Sequence, residues 1–507
     1  MEMKVSPSDP APIRTKTDAE IHFDEMRRKV GTIAGPLLFL LVLAWPFPSL
    51  TPEANRLAAV MALVIVFWVT EALPLAVTAL LGPTLAVVLQ VAPAGAAFGP
   101  FSNPLIFLFI GSFILAHALF LHRVNERIAY AVLSLPMIGA RPTRILIAYG
   151  VVAAVLSAWM SNTATAAMLV PLGVSLIKFM ESEANIPRKY GTVLMLMTTY
   201  CCSRGGMATP VGTPPNLIAL GFIESQLDLR ITFVQWMLFS VPIVLVLLGI
   251  VFLYLSWAGR TGMREIPGTQ EIIAERKRAL GHWRQGEINA LIAFGVAVCM
   301  WVGPGLLALV LGIDHPFAQS VLASIPVSAA ALIGVMVLFV LPNSKTERST
   351  ITWKQAAQID WGTILLFGGG LALGSLAAST GLALAIGEGI TGLLPTDDVV
   401  GITFAACLFT VVLSEAMSNT AATNIAIPIV ISIALAAGVN PLIPAVAAGL
   451  AASVATVMPV STPPNAIVYA SGRVTITEMI KYGLLMDVVA ITLVPFLVLM
   501  IAPRFIG

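Results

Sequence analysis

The chain has 507 residues, of which 58% are hydrophobic and 11% charged, and its formal net charge is +2. Soluble domains carry about 25% charged residues, so the supply here is less than half of what a water-facing surface uses. With a mean hydropathy of +0.92 and several apolar runs near the ~20 residues of a bilayer span, a soluble enzyme, a nucleic-acid binder and a disordered scaffold are excluded, and an all-α polytopic membrane protein is predicted.

In chain order, residues 1–30 are polar and mixed in charge, with Asp18, Glu20, Asp24 and Glu25 beside Arg27, Arg28 and Lys29. This pattern predicts no cleavable signal and reads as a cytoplasmic tail. Residues 31–54 hold the first apolar run, expected as a retained transmembrane helix. From 55 to 257, apolar runs lie near 55–71, 73–92, 104–121, 191–223 and 231–257. A basic stretch, 258–286, is expected as a cytoplasmic linker. From 287 to 507 the runs lie near 287–311, 319–341, 363–387, 442–470 and 483–502. Two further stretches, 143–180 and 399–440, are apolar but interrupted by Ser-Asn-Thr. Cys201, Cys202, Cys299 and Cys407 sit in apolar sequence with no metal-site spacing, so they read as buried thiols.

The positive-inside rule assigns the Lys/Arg-bearing connections to the cytoplasm: the tail, His122–Arg127 with Arg141 and Arg144, Glu181–Lys189, Arg260–Arg284, Ser344–Lys354 and Arg473–Lys481. All of them agree only if 143–180 and 399–440 each enter and leave on one side, as re-entrant hairpins. About eleven full spans remain, with a cytoplasmic N-terminus and an external C-terminus in a bacterial inner membrane.

Four matches recur in order. Leu73-Pro74…Gly82 resembles Ile325-Pro326…Gly334, and Ile106–Gly111 resembles Ile364–Gly369. Ser161-Asn162-Thr163-Ala164 returns as Ser418-Asn419-Thr420-Ala421, and Thr213-Pro214-Pro215-Asn216 returns as Thr462-Pro463-Pro464-Asn465. Each half then holds five spans and a hairpin, an odd number that turns the second copy upside down. Inverted repeats interrupted at matching places point to a secondary transporter with a midplane site.

A Ser-Asn-Thr run between apolar arms is unfavourable in lipid, where unsatisfied polar groups cost several kcal/mol. It becomes favourable where one half-helix ends and another begins. The new N-terminus offers free N–H groups and a positive dipole end to an oxyanion, and Asn162 and Thr163 can add donors. The end of the preceding half-helix, with Ser157 and Ser161, suits a small hard cation. A plain capping turn is the alternative for one such motif, but its recurrence favours the site. Paired prolines remove two backbone donors and place an unwound point within a span. Such backbone is tolerated at membrane depth where it is buried or lines a cavity. The alternative there is a simple kink.

These residues are where the chain resembles a known family. Two Ser-Asn-Thr tips, each followed by an unwound [Ser/Thr]-Pro-Pro-Asn helix, resemble the divalent anion/sodium symporter family of INDY-like dicarboxylate transporters, over essentially everything from residue 30 onward. The resemblance implies a homodimer with a scaffold and a mobile transport domain working as an elevator. It implies that Asn162, Thr163, Asn419 and Thr420 contact the two carboxylates, with Thr213 and Pro463 in the same pocket. It implies one sodium ion at Ser157, Ser161, Asn162 and Gly212, and a second at Ser414, Ser418, Asn419 and Ser461 or Thr462. A dianion held without a matching lysine or arginine needs such cations beside it, which couples sodium to substrate. No other cofactor is implied, and the partners are a small dicarboxylate and lipid.

Arg204 departs from the family, which more often has an apolar residue there. A charge at such depth usually marks a pathway. Arg204 either snorkels or pairs with a carboxylate such as Glu415, or it faces the pocket and replaces a sodium ion, which would give a dicarboxylate exchanger. Glu415 is expected to orient the second tip through backbone donors. Glu71, His117 and His122 are expected to be structural, Arg276-Lys277-Arg278 to set topology, and Gly368-Gly369-Gly370 to allow close helix packing. The expected function is sodium-coupled transport of C4-dicarboxylates such as succinate, malate or fumarate. Rivals are the exchanger, a sulfate or other inorganic anion carrier, a channel, and a membrane enzyme, for which no serine has a nearby histidine base.

Overall fold

The computed structural model describes residues 18–312, 314–344, 346–391 and 398–506, and every regular element within them is helical. The first helix, Asp18–Ala44, starts inside the stretch expected as a polar tail, of which residues 1–17 lie outside the described residues. Charge does not oppose helix beyond the hydrocarbon. Pairs at i,i+3 and i,i+4, Asp24–Arg27 at 3.9 Å and Glu25–Lys29 at 4.0 Å, support the added turns. Arg27 also reaches Glu71 at 3.1 Å, tying this extension to the end of the next helix, Pro52–Thr70.

Helix starts follow from capping chemistry. Thr232 and Thr475 each form a capping box, with Gln235 and Glu478, at the heads of Phe233–Ala258 and Ile476–Ile501. Proline occupies the first turn of Pro104–Leu121, Pro142–Ser157, Pro214–Leu227 and Pro463–Ala470, where its missing N–H costs nothing.

Among the described residues nine helices are long and apolar enough to cross a bilayer, or ten if Pro316–Ser324 and Val327–Val340, bent by 55°, count as one span. Three of the nine, beginning at Asn162, Val399 and Asn419, are arms of the interrupted stretches. The difference from eleven arises where a span is short, as Leu75–Val88, or broken, and at the first helix, Asp18–Ala44, which is not among the nine because its apolar part follows Arg27, Arg28 and Lys29 too closely. The run expected at 191–223 is Arg188–Gly206 followed by Pro214–Leu227, and the run at 442–470 is Leu442–Ala451 followed by Pro463–Ala470. The linker 258–286 contains the helix Thr269–Ala279, whose last turn carries Arg276, Lys277 and Arg278.

Two groups of helices result. In one, Asp18–Ala44 packs on Pro52–Thr70, Leu75–Val88 on Trp361–Ser379, and Val327–Val340 on both Pro104–Leu121 and Gln285–Leu311. Gly369 permits the packing of Trp361–Ser379 on Leu75–Val88, because a Cβ there would collide with the Ala79 carbonyl. In the other group the halves interlock. Pro214–Leu227 packs on Asn419–Ala436 and Leu442–Ala451, while Pro463–Ala470 packs on Asn162–Ala184 and Arg188–Gly206. Burial ranges from 72% of Asn419–Ala436 to 28% of the best apolar window of Gln285–Leu311.

Candidate functional site

Both interrupted stretches are helical hairpins that turn at the motif. Pro142–Ser157 and Asn162–Ala184 meet at 158–161, and Val399–Ala416 and Asn419–Ala436 meet at 417–418. Each second arm begins at its asparagine, with Ser161 (φ −54°, ψ 133°) and Ser418 (φ −57°, ψ 136°) as matching N-caps. The first helical bonds are Thr165 N–H to the Ser161 carbonyl at 3.0 Å and Ala422 N–H to the Ser418 carbonyl at 2.9 Å. The N–H groups before them have no intrahelical partner, as at any helix start, and at the second tip the Ser418 hydroxyl accepts from the Ala421 N–H at 3.4 Å.

The tips share a second feature. The Ser157 hydroxyl donates to Asn162 Oδ1 at 2.5 Å, and the Ser414 hydroxyl donates to Asn419 Oδ1 at 2.7 Å. In each half a serine at the end of the first arm therefore orients the asparagine opening the second, leaving its amide N–H₂ to point elsewhere. Asn162 Nδ2 reaches Thr213 Oγ1 at 3.5 Å.

The broken helices supply the facing wall. The paired prolines do not sit in the middle of the break, as their helix-breaking chemistry suggested. They open the following helix, and the unwound residues are 207–213 and 452–462. A proline at the first helical position gives up a donor that has no partner anyway. Thr213 (φ −148°, ψ 143°) and Thr462 (φ −150°, ψ 143°) precede them in the same extended conformation. The motif asparagines then bridge the unwound backbone. Asn216 Nδ2 donates to the Gly206 and Thr209 carbonyls at 3.0 and 2.7 Å, and Asn465 Nδ2 donates to the Met458 carbonyl and Ser461 Oγ at 3.0 and 3.1 Å. The Thr199 hydroxyl donates to Asn465 Oδ1, joining the first half's broken helix to the second's.

Oxygens converge behind each tip. A Cβ on Gly206 would strike Asn162 Oδ1, and one on Gly212 would strike the Gly206 carbonyl and lie 2.8 Å from that of Ala158. The Thr209 hydroxyl holds the Ala158 carbonyl. In the second half Ser414 Oγ lies 2.7 Å from Asn419 Oδ1 and 2.8 Å from the Ala452 carbonyl, two acceptors facing one hydroxyl proton. No group of three or more His, Cys, Asp or Glu suited to a metal occurs among the described residues. The donor set is hydroxyl, amide and carbonyl oxygen, which suits a hard monovalent cation better than a transition metal.

One cavity of about 1510 Å³ gathers the expected residues: Ser161, Asn162, Thr163, Thr213, Ser418, Asn419, Thr420, Thr462 and Pro463 all line it. Ser157, Gly212, Ser414 and Ser461 do not line it; they are buried behind the tips and breaks. Donors at the tips are neutral. Arg27 and Arg28 are in the lining together with Asp24, Glu71 and Asp360, so Glu71 belongs to the cavity wall as well as to its ion pair. His117, expected to be structural, also contributes to the wall, although its Nε2 is buried. Gly206, Thr209 and Met458 were not singled out in the sequence; only the repeat offsets, which place them opposite Ala455, Met458 and Thr209, could have raised them.

Arg204 does not face this cavity. It is 2% exposed, forms no ion pair among the described residues, and lies over the Tyr200 ring at 5.3 Å. Burial inside the α-helical group, rather than snorkelling, is the outcome. Glu415 accepts from the N–H groups of Val457 and Met458 at 2.8 and 2.9 Å, the backbone role expected for it, though on the break rather than the tip.

Residues 28–502 match the family described as the sodium:sulfate symporter transmembrane region. The sodium-dependent dicarboxylate transporter SdcS of Staphylococcus aureus is 33% identical over 488 residues, covering 94% of this chain and 92% of the relative; this holds for strains RF122 and USA300 alike. Two solved structures share the fold at 14% identity. The YdaH transporter of Alcanivorax borkumensis has a TM-score of 0.56, with 96% of this chain and 98% of that one covered. MtrF of Neisseria gonorrhoeae, from a class of antimetabolite efflux pumps, has a TM-score of 0.53, with 91% and 97% covered.

Proposed function

The chain belongs to the sodium:sulfate symporter family, and from that premise we propose that it moves C4-dicarboxylates such as succinate, malate or fumarate, coupled to sodium, by an elevator motion. It is a multi-pass membrane transport protein and not an enzyme. The observation that carries the proposal is the meeting of two helix starts, at Asn162 and Asn419, on one cavity. Two positive dipole ends with oriented amides fit the two ends of a short dianion. Asn162, Thr163 and Thr213 take one carboxylate, and Asn419, Thr420 and Pro463 take the other.

Sodium is co-transported cargo in this reading. One ion lies at Ser157, Ser161, Asn162 and Gly212, the other at Ser414, Ser418, Asn419 and Ser461 or Thr462. The crowding of neutral oxygens behind each tip supports this assignment, and in the second half two acceptors share the single Ser414 hydroxyl proton. Cation charge next to the tips offsets the dianion, so sodium precedes substrate and shapes its site.

The halves are inverted repeats, as the odd number of spans per half requires. The interlocked hairpins and broken helices form the transport domain, and the remaining helices form the scaffold of a homodimer. The N-terminus is cytoplasmic and the C-terminus external by the distribution of Lys and Arg. On that orientation the cavity mouth, lined by Arg27, Glu71, Asp360 and Ile476, faces the cytoplasm, which makes this the inward-open state.

The test is uptake of labelled succinate by proteoliposomes. An inward sodium gradient is expected to drive accumulation. Uptake that ignores sodium and needs internal dicarboxylate would replace symport by exchange, and failure of every di- and tricarboxylate would discard the substrate class.

A further inference from the structure

The second half holds its break with charge, and the first does not. In the first half, Trp236 Nε1 donates to the Met207 carbonyl at 3.1 Å and the Ser240 hydroxyl to the Ala208 carbonyl at 2.9 Å. In the second, the Glu415 carboxylate takes the N–H groups of Val457 and Met458, and the Met458 carbonyl takes the Ser461 hydroxyl at 2.7 Å. Glu415 follows Ser414 in the chain. One carboxylate thus links the hairpin arm to the strand of backbone that presents Ser461 and Thr462.

A second acid and a buried cation stand behind it. The Asp487 carboxyl lies against that of Glu415 and accepts from the Thr456 hydroxyl at 2.7 Å. Arg204 is within electrostatic reach of both acids, is buried, and has Nη1 without a hydrogen-bond partner among the described residues. A guanidinium removed from water without a paired carboxylate is an expensive arrangement to keep. The fold does not demand it. At the offsets of the repeated motifs, Glu415 corresponds to Ala158 and Arg204 to Ser453; the matching capping boxes at Thr232 and Thr475 align Asp487 with Val244. All three counterparts are uncharged, and the first half builds its tip and break without them.

We propose that Glu415 is a positioning residue of the second cation site, and that the opposed charges of Glu415 and Arg204 set the field felt there, so that sodium affinity follows their sum. The inference deepens the transport reading and rests on it for the location of that site. Coulomb interaction between a fixed charge and a bound cation gives the sign. Removing a negative charge weakens sodium binding, and removing Arg204 strengthens it. A gain of affinity on deleting a buried side chain is not an effect that loosened packing produces.

The experiment is a sodium titration of the purified protein in nanodiscs, followed by sodium-dependent thermal stabilisation and repeated as sodium-driven succinate uptake. Glu415→Gln is expected to raise the sodium midpoint about tenfold, and Arg204→Met to lower it severalfold. Glu415→Asp, which keeps the charge, recovers part of the Glu415→Gln loss. An Arg204→Met midpoint equal to or above that of the unmodified protein overturns the proposal. Should Arg204→Met fail to fold, an unchanged midpoint in Glu415→Gln overturns it instead. The stabilisation assay needs no dicarboxylate. A protein that binds sodium with this order of midpoints but ignores succinate sinks only the transport reading; flat midpoints in a protein that accumulates succinate with sodium sink only this one. No sodium response at all in the unmodified protein sinks both.

Discussion

The unwound segments 207–213 and 452–462 arrive at one geometry by two chemistries. Thr213 and Thr462 differ by 2° in φ and not at all in ψ, and each hairpin tip carries the same serine-to-asparagine bond. The supports differ. Neutral side chains pin the carbonyls of the first segment, whereas a carboxylate pins the N–H groups of the second. Shared features are the tips with the serines that orient them and the extended threonines, and divergent ones support the unwound backbone. The comparison teaches that the ligand-facing geometry is what the two halves have in common, while its support can be rebuilt with whatever polar groups the neighbouring helices provide.

If the tips are equivalent, Asn162→Ala and Asn419→Ala should each reduce uptake at least 100-fold, with folding retained by size-exclusion profile and melting temperature. Each change removes an amide oxygen from the oxygen cluster and an amide donor from the cavity. A large loss in one variant and near-normal transport in the other would break the symmetry. The next effect sharpens it. Gly212 and Ser461 are counterparts, but only Gly212 faces carbonyls that a Cβ would strike. Gly212→Ala is therefore expected to raise the sodium midpoint more than tenfold, and Ser461→Ala, which loses hydrogen bonds worth about 1 kcal/mol, roughly fivefold.

Smaller again is the hydroxyl that orients each asparagine. Ser157→Ala and Ser414→Ala should each raise the succinate half-saturation about fivefold, from a lost bond of ~1 kcal/mol. The Ser414 change should be the larger, because that oxygen also approaches the Ala452 carbonyl. At the low end, Glu71→Gln removes the partly exposed pair with Arg27, of a kind worth 0–1 kcal/mol, and should change uptake less than twofold. A collapse of transport in that variant would show that the mouth, and not only the tips, selects the substrate.

Much of the architecture was legible because lipid penalises unsatisfied backbone so heavily. A Ser-Asn-Thr run flanked by apolar arms, appearing twice, has few low-energy solutions, and the hairpins meeting at 158–161 and 417–418 are among them. The polar tip residues Asn162 and Thr163 were legible for the same reason, whereas Glu71 and His117, expected to be structural, also line the cavity. Less accessible was the exact place of the prolines, since Pro214 and Pro463 can equally interrupt a helix or begin one. Only the path of the preceding chain chooses between these, and it is set by Asn216 and Asn465 reaching back to carbonyls several residues upstream.

What the amino-acid order determined alone was local and periodic: membrane residence, the number and approximate limits of the apolar runs, the duplication, and the polar interruptions that must be buried. These follow from transfer free energy and backbone hydrogen bonding, which act on each segment separately. Tertiary packing alone decided that Asn162 and Asn419, 257 positions apart, share one cavity, that Arg204 turns away from it, and that Asp487 comes to rest against Glu415. Contacts between distant segments depend on how whole helices fit one another, and no stretch of sequence carries that information by itself.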